Sequence, residues 1–322
     1  MPGSIQSTVI LFKPETTSGT DAAPVEASDA VLVRVTNLSV QIDEKFADRD
    51  VLVGAFGASD SLPYARRGTI SFSVEIQASG VLGTAPMWGD LLLCSAFSET
   101  VTATTRVDYL PASSSLKTGT IWALWNGRLE KFNYASGDVT GMSWEVGKVP
   151  TMDYKFMALV SSSAAGSLSA PTLTGFKRPE AVSTAATTKL SIGPVTYTAG
   201  AISGGTQYNW QSLKISMGND VQDLALVGQE NIAIYGRKPT VEIVGDFGAT
   251  AHAAFKADMH AGTTRAFGFI HGSAATLKVG VHAPVGVITE VSDQVNGNVM
   301  LDKLKMTLRP STANDELRIF CI

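Results

Sequence analysis

The sequence predicts a mainly β protein built as two tandem domains, each carrying one short α-helix. Three observations predict it. Thirty glycines and thirteen prolines, in a chain rich in Ser, Thr and Ala, mark many turns between short strands. Apolar and polar residues alternate with period two in several segments, the mark of half-buried strands. The same order of elements occurs twice in the 322 residues, a length that itself suggests about two domains at roughly 150 residues each.

The repeat runs in order along the chain. Leu38-Ser39-Val40-Gln41-Ile42-Asp43 is answered by Leu213-Lys214-Ile215-Ser216-Met217-Gly218. Val51-Leu52-Val53-Gly54 is answered by Ala225-Leu226-Val227-Gly228. Tyr64 to Phe72 matches Tyr235 to Ile243, and the alternation continues until Glu75 falls opposite Asp246. A short helix is expected over Pro86 to Phe97, with Trp88, Leu91, Leu92 and Cys94 on its apolar face; its counterpart is Thr250 to Ala261, with Ala254, Phe255 and Met259. Trp122 to Phe132 answers Ala266 to Val279, and Gly147 to Phe156 answers Gly297 to Met306. The offset between copies falls from about 175 to about 150 residues, as loops of different length allow.

These matches set the expected boundaries: an N-terminal arm over 1–28, a first domain over 29–160, a Ser/Ala/Gly-rich linker over 161–190 and a second domain over 191–322. The arm has two readings, a loose terminus or a segment that orders on a neighbouring subunit.

Composition excludes several functions. Hydrophobic residues make up 44% and charged residues 17%, below the about 25% of an average globular chain, so extensive disorder is not expected and much of the surface is expected to be covered by copies or partners. A net charge of −4 argues against gripping nucleic-acid phosphates. No stretch approaches the about 18 apolar residues of a spanning helix, and Met1 to Thr20 has no signal-peptide pattern. Cys94 and Cys321 are expected to be unpaired thiols in a reducing compartment.

The chemistry of catalysis is missing from the sequence. It has no G-x-S-x-G elbow, phosphate loop, H-E-x-x-H or G-x-G-x-x-G, so no catalytic residue, cofactor or metal site is expected. All four histidines lie in the second half; His252 and His260 could share a helix face near Asp258, but surface or interface histidines are the plainer reading. Arg66-Arg67 and Arg237-Lys238 recur at one place in both copies and are expected to cap a strand, discourage edge pairing or form subunit ion pairs.

One segment carries a family resemblance. Val139-Thr140-Gly141-Met142-Ser143-Trp144-Glu145-Val146-Gly147-Lys148-Val149-Pro150-Thr151-Met152-Asp153-Tyr154-Lys155-Phe156 resembles the closing strand, Gly-x-x-Pro turn and strand of the tail tube (major tail) proteins of long-tailed bacteriophages. The resemblance covers roughly 32–160; the second half joins through its match to the first, with Gly297 retained and Met300 in place of Pro150.

The resemblance implies two tandem β-sandwich or partial-barrel domains in a structural virion protein. It implies stacked rings that form a conduit for DNA ejection, assembly in the host cytoplasm and residence in the virion tail. Two domains per chain then imply homotrimeric rings of pseudo-sixfold symmetry, with tail terminator, tail tip and tape measure proteins as partners. DNA would pass without specific binding, and no membrane is involved.

The polar strand residues Ser39, Gln41, Ser71, Ser73, Glu75, Glu242 and Asp246 are candidates for the lumen wall; an ordinary solvent-exposed sheet face is the alternative. That wall is expected to be small, neutral or acidic. Gly54, Gly57, Ala58 and Ser59, in the long loop Lys45 to Leu62, are candidates for contacts between rings, or for a simple mobile loop; Gly218 to Ile232 is the matching loop. A carbohydrate- or protein-binding β-sandwich of a tail tip or adhesin is the rival function, with Trp122, Trp125 and Tyr134 as its possible aromatic cluster.

Overall fold

The computed structural model describes residues 8–34, 37–49, 51, 60–125, 127–173 and 175–322. The first half contains β1 (Val9–Pro14), β2 (Ser39–Asp48), β3 (Ser61–Glu75), α1 (Gly89–Leu93), β4 (Phe97–Thr102), β5 (Arg106–Pro111), β6 (Gly119–Trp125), β7 (Arg128–Glu145) and β8 (Thr151–Ala165). The second contains β9 (Leu190–Thr198), β10 (Ala201–Ser216), β11 (Asn219–Leu226), β12 (Gln229–Arg237), β13 (Thr240–Asp246), α2 (Gly248–Ala261), β14 (Thr264–His271), β15 (Val279–Asn296), β16 (Val299–Leu308) and β17 (Arg318–Cys321). The fold is mainly β, as the alternation predicts.

Strand pairing follows one order in each half. In the first, β1 pairs with β6, then β7, β8, β3 and β2 follow. In the second, β9 pairs with β14, then β15, β16, β13 and β10 follow. Two seams join them. β7 pairs with β10 in the register Met142↔Ile215, Ser143↔Lys214, Trp144↔Leu213 and Glu145↔Ser212. On the far side, β15 continues through β17 to β5 and β4.

Alternation decides the core. Ile70, Phe72 and Val74 on β3, and Ile76 just after it, are all at most 1% exposed, as expected from their spacing. Phe72, Tyr154 and Phe156 form a triangle of rings with centroids 5.8–5.9 Å apart. Val241 and Ile243 take the same inward positions on β13. One buried cluster runs through both halves without a break.

α1 is shorter than the expected Pro86 to Phe97; it keeps Trp88, Leu91, Leu92 and Cys94 fully buried, and the Trp88 indole donates to the Gln77 carbonyl at 2.7 Å. α2 buries Phe255 and stops at Gly262, whose φ of +68° is a left-handed cap that glycine adopts without a Cβ penalty. No described helix is long and apolar enough to cross a membrane.

Both low-complexity stretches engage the fold. Within the arm, β1 pairs with β6 of its own chain, and buried Glu15 takes the Thr118 and Thr120 hydroxyls at 2.6 and 3.1 Å. β8 continues through Ala165, into the stretch read as linker. Further along that stretch, Val182 is buried and exchanges backbone bonds of 2.9 Å with Gly147 and Lys148. Backbone groups that would otherwise be buried unsatisfied are thus paired, which fixes a sequence lacking any strand pattern.

Candidate functional site

The face of the sheet opposite the core is a lattice of short polar and charged side chains. Its rows follow from the register. Ser39 lies across from Ser71, and Gln41 from Thr69. Ser71, Ser73 and Glu75 then face Lys155, Asp153 and Thr151. Past the seam, Lys214 faces Glu242, Glu242 faces Lys305, and Lys305 faces Glu290. Lys303 Nζ reaches Glu242 Oε2 at 3.2 Å. Opposite charges across neighbouring strands attract, and here the signs alternate from strand to strand.

The candidate wall residues therefore come together on one sheet face, with differences in detail. Gln41 and Asp246 are exposed, while Ser39, Ser71, Glu75 and Glu242 are half-buried. Ser73 is only 1% exposed, because its hydroxyl hydrogen-bonds Asp153 and takes the Asn37 amide at 2.8 Å. The expectation of a small, neutral or acidic face does not hold. Lys155, Lys214, Lys303 and Lys305 stand among Glu75, Asp153, Glu242 and Glu290. Each of those lysines sits at an alternating polar position, so the period-two pattern was the signal that could have found them. Gly54, Gly57, Ala58 and Ser59 lie outside the described residues.

A second arrangement binds one half to the other. β11 and β12 form a hairpin that leans on the first half. The Ser136 hydroxyl donates to the Ile232 carbonyl at 3.0 Å, and Ile232 is buried there. Asn219 donates its backbone N–H to Asp138 at 2.8 Å and its side-chain amide to the carbonyls of Ser95 and Gly137.

Arg67, 6% exposed, meets Asp223 at 2.8 Å and Glu230 at 3.2 Å; Lys45 meets Asp223 at 2.9 Å. Burial alone would raise the pKa of Asp223, but the hydrogen bonds and charges of Arg67 and Lys45 outweigh it and hold the carboxyl below its ordinary range. Arg237 pairs with Glu316 and donates to the Ala112 carbonyl at 2.7 Å. The recurring basic pairs thus supply ion pairs within this chain, two of them between its halves.

The two ends of the eight-strand path β2-β3-β8-β7-β10-β13-β16-β15 differ from its middle. Among the described residues, β2 pairs only with β3, and the last turnward residues of β15, from Asp293, pair only with β16. Register makes Leu38 the counterpart of Leu213, and Val295 the counterpart of Trp144. Leu213 and Trp144, joined in the seam, are 1% and 0% exposed; Leu38 is half-buried and Val295 is 68% exposed. Val299 and Met300 extend the exposed apolar edge.

Little here suggests chemistry. Both cysteines are buried, and burial pushes their thiols well up, away from the reactive thiolate. His252 meets Asp302 and Asp293 instead of sharing a site with His260, and Asp258 pairs with Arg265 at 2.6 Å. Trp122 of the supposed aromatic cluster lies under Lys131, 3.4 Å from ring centroid to Nζ, and donates to Asp21.

Among the described residues the fold is a mainly β architecture in which one strand order occurs twice and the sheet path ends in open strand edges. The family model of the phage tail tube protein matches residues 6–307, and the chain belongs to that family. It is a structural family of the virion tail, whose members assemble into the tail tube. No curated protein sequence matches the chain.

Proposed function

We propose that three copies of this duplicated tube subunit close a ring of pseudo-sixfold symmetry, and that stacked rings form the conduit for DNA ejection. One observation carries the reading. The β7–β10 seam inside the chain has both of its partners repeated at the ends of the sheet path, where, among the described residues, β2 pairs only with β3 and β15 from Asp293 pairs only with β16. Transferring the seam's register to those ends pairs Val40 with Asp293, Ser39 with Gln294, Leu38 with Val295 and Asn37 with Asn296 of the next copy. Such heterologous contacts close a ring when the rotation fits, and six repeats are reached with three chains. Pairing also removes two exposed strand edges, which are otherwise open to wrong partners.

In this ring the charged sheet face lines the lumen. Its alternating signs leave neither a basic track that would hold phosphate nor a uniform acidic barrier. DNA then passes without specific binding. Assembly in the host cytoplasm, with tail terminator, tail tip and tape measure proteins at the ends and centre of the tube, completes the reading. No observation favours the adhesin alternative.

Negative-stain electron microscopy with mass photometry on the purified chain tests the ring. Rings or tubes with mass in multiples of three chains are expected. Six chains per ring would refute the pseudo-sixfold argument. For the lumen, Glu75→Lys with Asp246→Lys is expected to leave rings intact and lower DNA delivery; unchanged infectivity of such particles would remove the lumen assignment.

A further inference from the structure

On its core-facing side the second half carries two carboxylates where the first half has apolar side chains. In the first half, Met142 faces Met152 across β7 and β8, and both are fully buried. At the matching register of the second half, Asp293 faces Asp302 across β15 and β16. Two carboxylates directly opposite across a strand pair repel each other. The fold does not need them, since methionines serve the same position in the other half.

A third group completes the set. His252, on α2, brings Nδ1 to 2.6 Å from Asp302 Oδ1 and 4.0 Å from Asp293 Oδ1. One ligand atom from each residue can be chosen so that all three lie within 4.8 Å of one another. The other oxygen of Asp302 accepts the Phe247 N–H at 2.9 Å, which fixes the rotation of that carboxylate. The side chains of His252 and Asp302 are 16% and 15% exposed, and that of Asp293 is 57% exposed. Two ligands are therefore held and the third is open to solvent, where an ion enters.

We propose that His252, Asp293 and Asp302 bind a divalent first-row transition ion of the Zn²⁺ or Mn²⁺ kind, pinning α2 to the β15–β16 hairpin. One imidazole nitrogen with two carboxylate oxygens suits these ions, whereas Mg²⁺ and Ca²⁺ prefer oxygen alone. Bonds of about 2.0–2.2 Å in a tetrahedral set place ligand atoms about 3.3–3.6 Å apart. The His252–Asp302 contact widens to admit the ion, and the exposed Asp293 closes in. The ion's charge relieves the repulsion between the carboxylates. This inference concerns the single subunit and does not rest on the ring.

The test uses the full chain, stripped with EDTA and dialysed, in calorimetric titrations with ZnCl₂ and with MnCl₂. One ion per chain is expected for at least one of the two metals. At a hundredfold excess over Kd, a rise of about 3–5 °C in Tm is expected. The double variant Asp293→Met with Asp302→Met copies the first half and is expected to fold and lose binding. His252→Ala is expected to weaken binding at least about tenfold. If the double variant does not fold, Asp302→Asn, which keeps the shape, is read in its place and is expected to weaken binding likewise. Absence of saturable binding of either ion to the wild-type chain overturns the proposal. So does undiminished binding in the folded variants, which would place the ion elsewhere.

Discussion

Trp144 and Val295 occupy the same register position in the two halves, yet Trp144 is fully buried and Val295 is 68% exposed. Trp144 is covered by the second half, with the Phe269 ring edge-on at a centroid distance of 5.1 Å. Val295 has no such cover among the described residues. If the next copy supplies it, Val295→Lys leaves the subunit folded, because the site is exposed in one chain, and stops tube formation. Tubes of wild-type abundance under the electron microscope would refute the contact.

The transferred register makes a sharper prediction. Leu38→Cys with Val295→Cys places two thiols across the new strand pair, where Cβ atoms lie about 4.5–5.5 Å apart. Mild oxidation of assembled protein is expected to give a covalent ladder that ends at three chains on non-reducing gels. Cys94 and Cys321 are buried and should not interfere. Ladders that run past three, or their absence in intact tubes, would dismiss this register.

Arg67 tests the contact between halves. Arg67→Ala strips Asp223 and Glu230 of a buried cation, while Asp223 keeps Lys45. Breaking a buried pair from one side costs about 3–5 kcal/mol, and the retained lysine puts the expected loss near the lower end, about 3 kcal/mol. Denaturant unfolding monitored by tryptophan fluorescence measures it. A loss below about 1 kcal/mol would show that the β11–β12 hairpin does not depend on this pair.

Two histidines set a pH response. His271 is 3% and His282 7% exposed, and burial lowers both pKa values, although backbone carbonyls of Glu180 and Val195 partly offset it. The unfolded chain takes up these protons near pH 6.5 while the folded chain does not. Their contribution is therefore complete above about pH 6.5 and is lost as pH falls from there through the folded pKa values. Tm should decline between pH 7 and pH 5. His271→Gln with His282→Gln should flatten that decline whatever its effect on Tm at pH 7; an unchanged slope would assign the decline to other groups.

Thiol chemistry supplies a check on the core. Burial pushes both cysteines away from the thiolate form. A colorimetric disulfide reagent should find almost no reactive thiol in the native chain, and both once it is unfolded. Fast labelling of either in native protein would mean that its end of the core opens.

Much of the fold was legible because strand burial has a period of two and leaves its mark in consecutive residues. Ile70, Phe72, Val74 and Ile76 show this plainly, and their polar neighbours Ser71 and Glu75 were read on the opposite face. The arm was less legible. Val9–Pro14 carries no alternation, since a strand covered on both sides reads as a run, and its partner β6 lies far along the chain. Ser73 is more covered than its neighbours Ser71 and Glu75, because the sequence gives the side a residue faces but not what sits above it; Asn37 and Asp153 do.

The sequence by itself determined the strand periodicity, the repeated order of elements, the absence of catalytic motifs and the family resemblance. These are local or translational properties of the chain, written in neighbouring residues. Only the tertiary structure decided which strands end the sheet path. It also set four lysines among the carboxylates and brought His252 to Asp293 and Asp302. Those outcomes depend on cross-strand register between segments tens of residues apart. Register is fixed by packing and turn geometry across the whole sheet, not by any one segment.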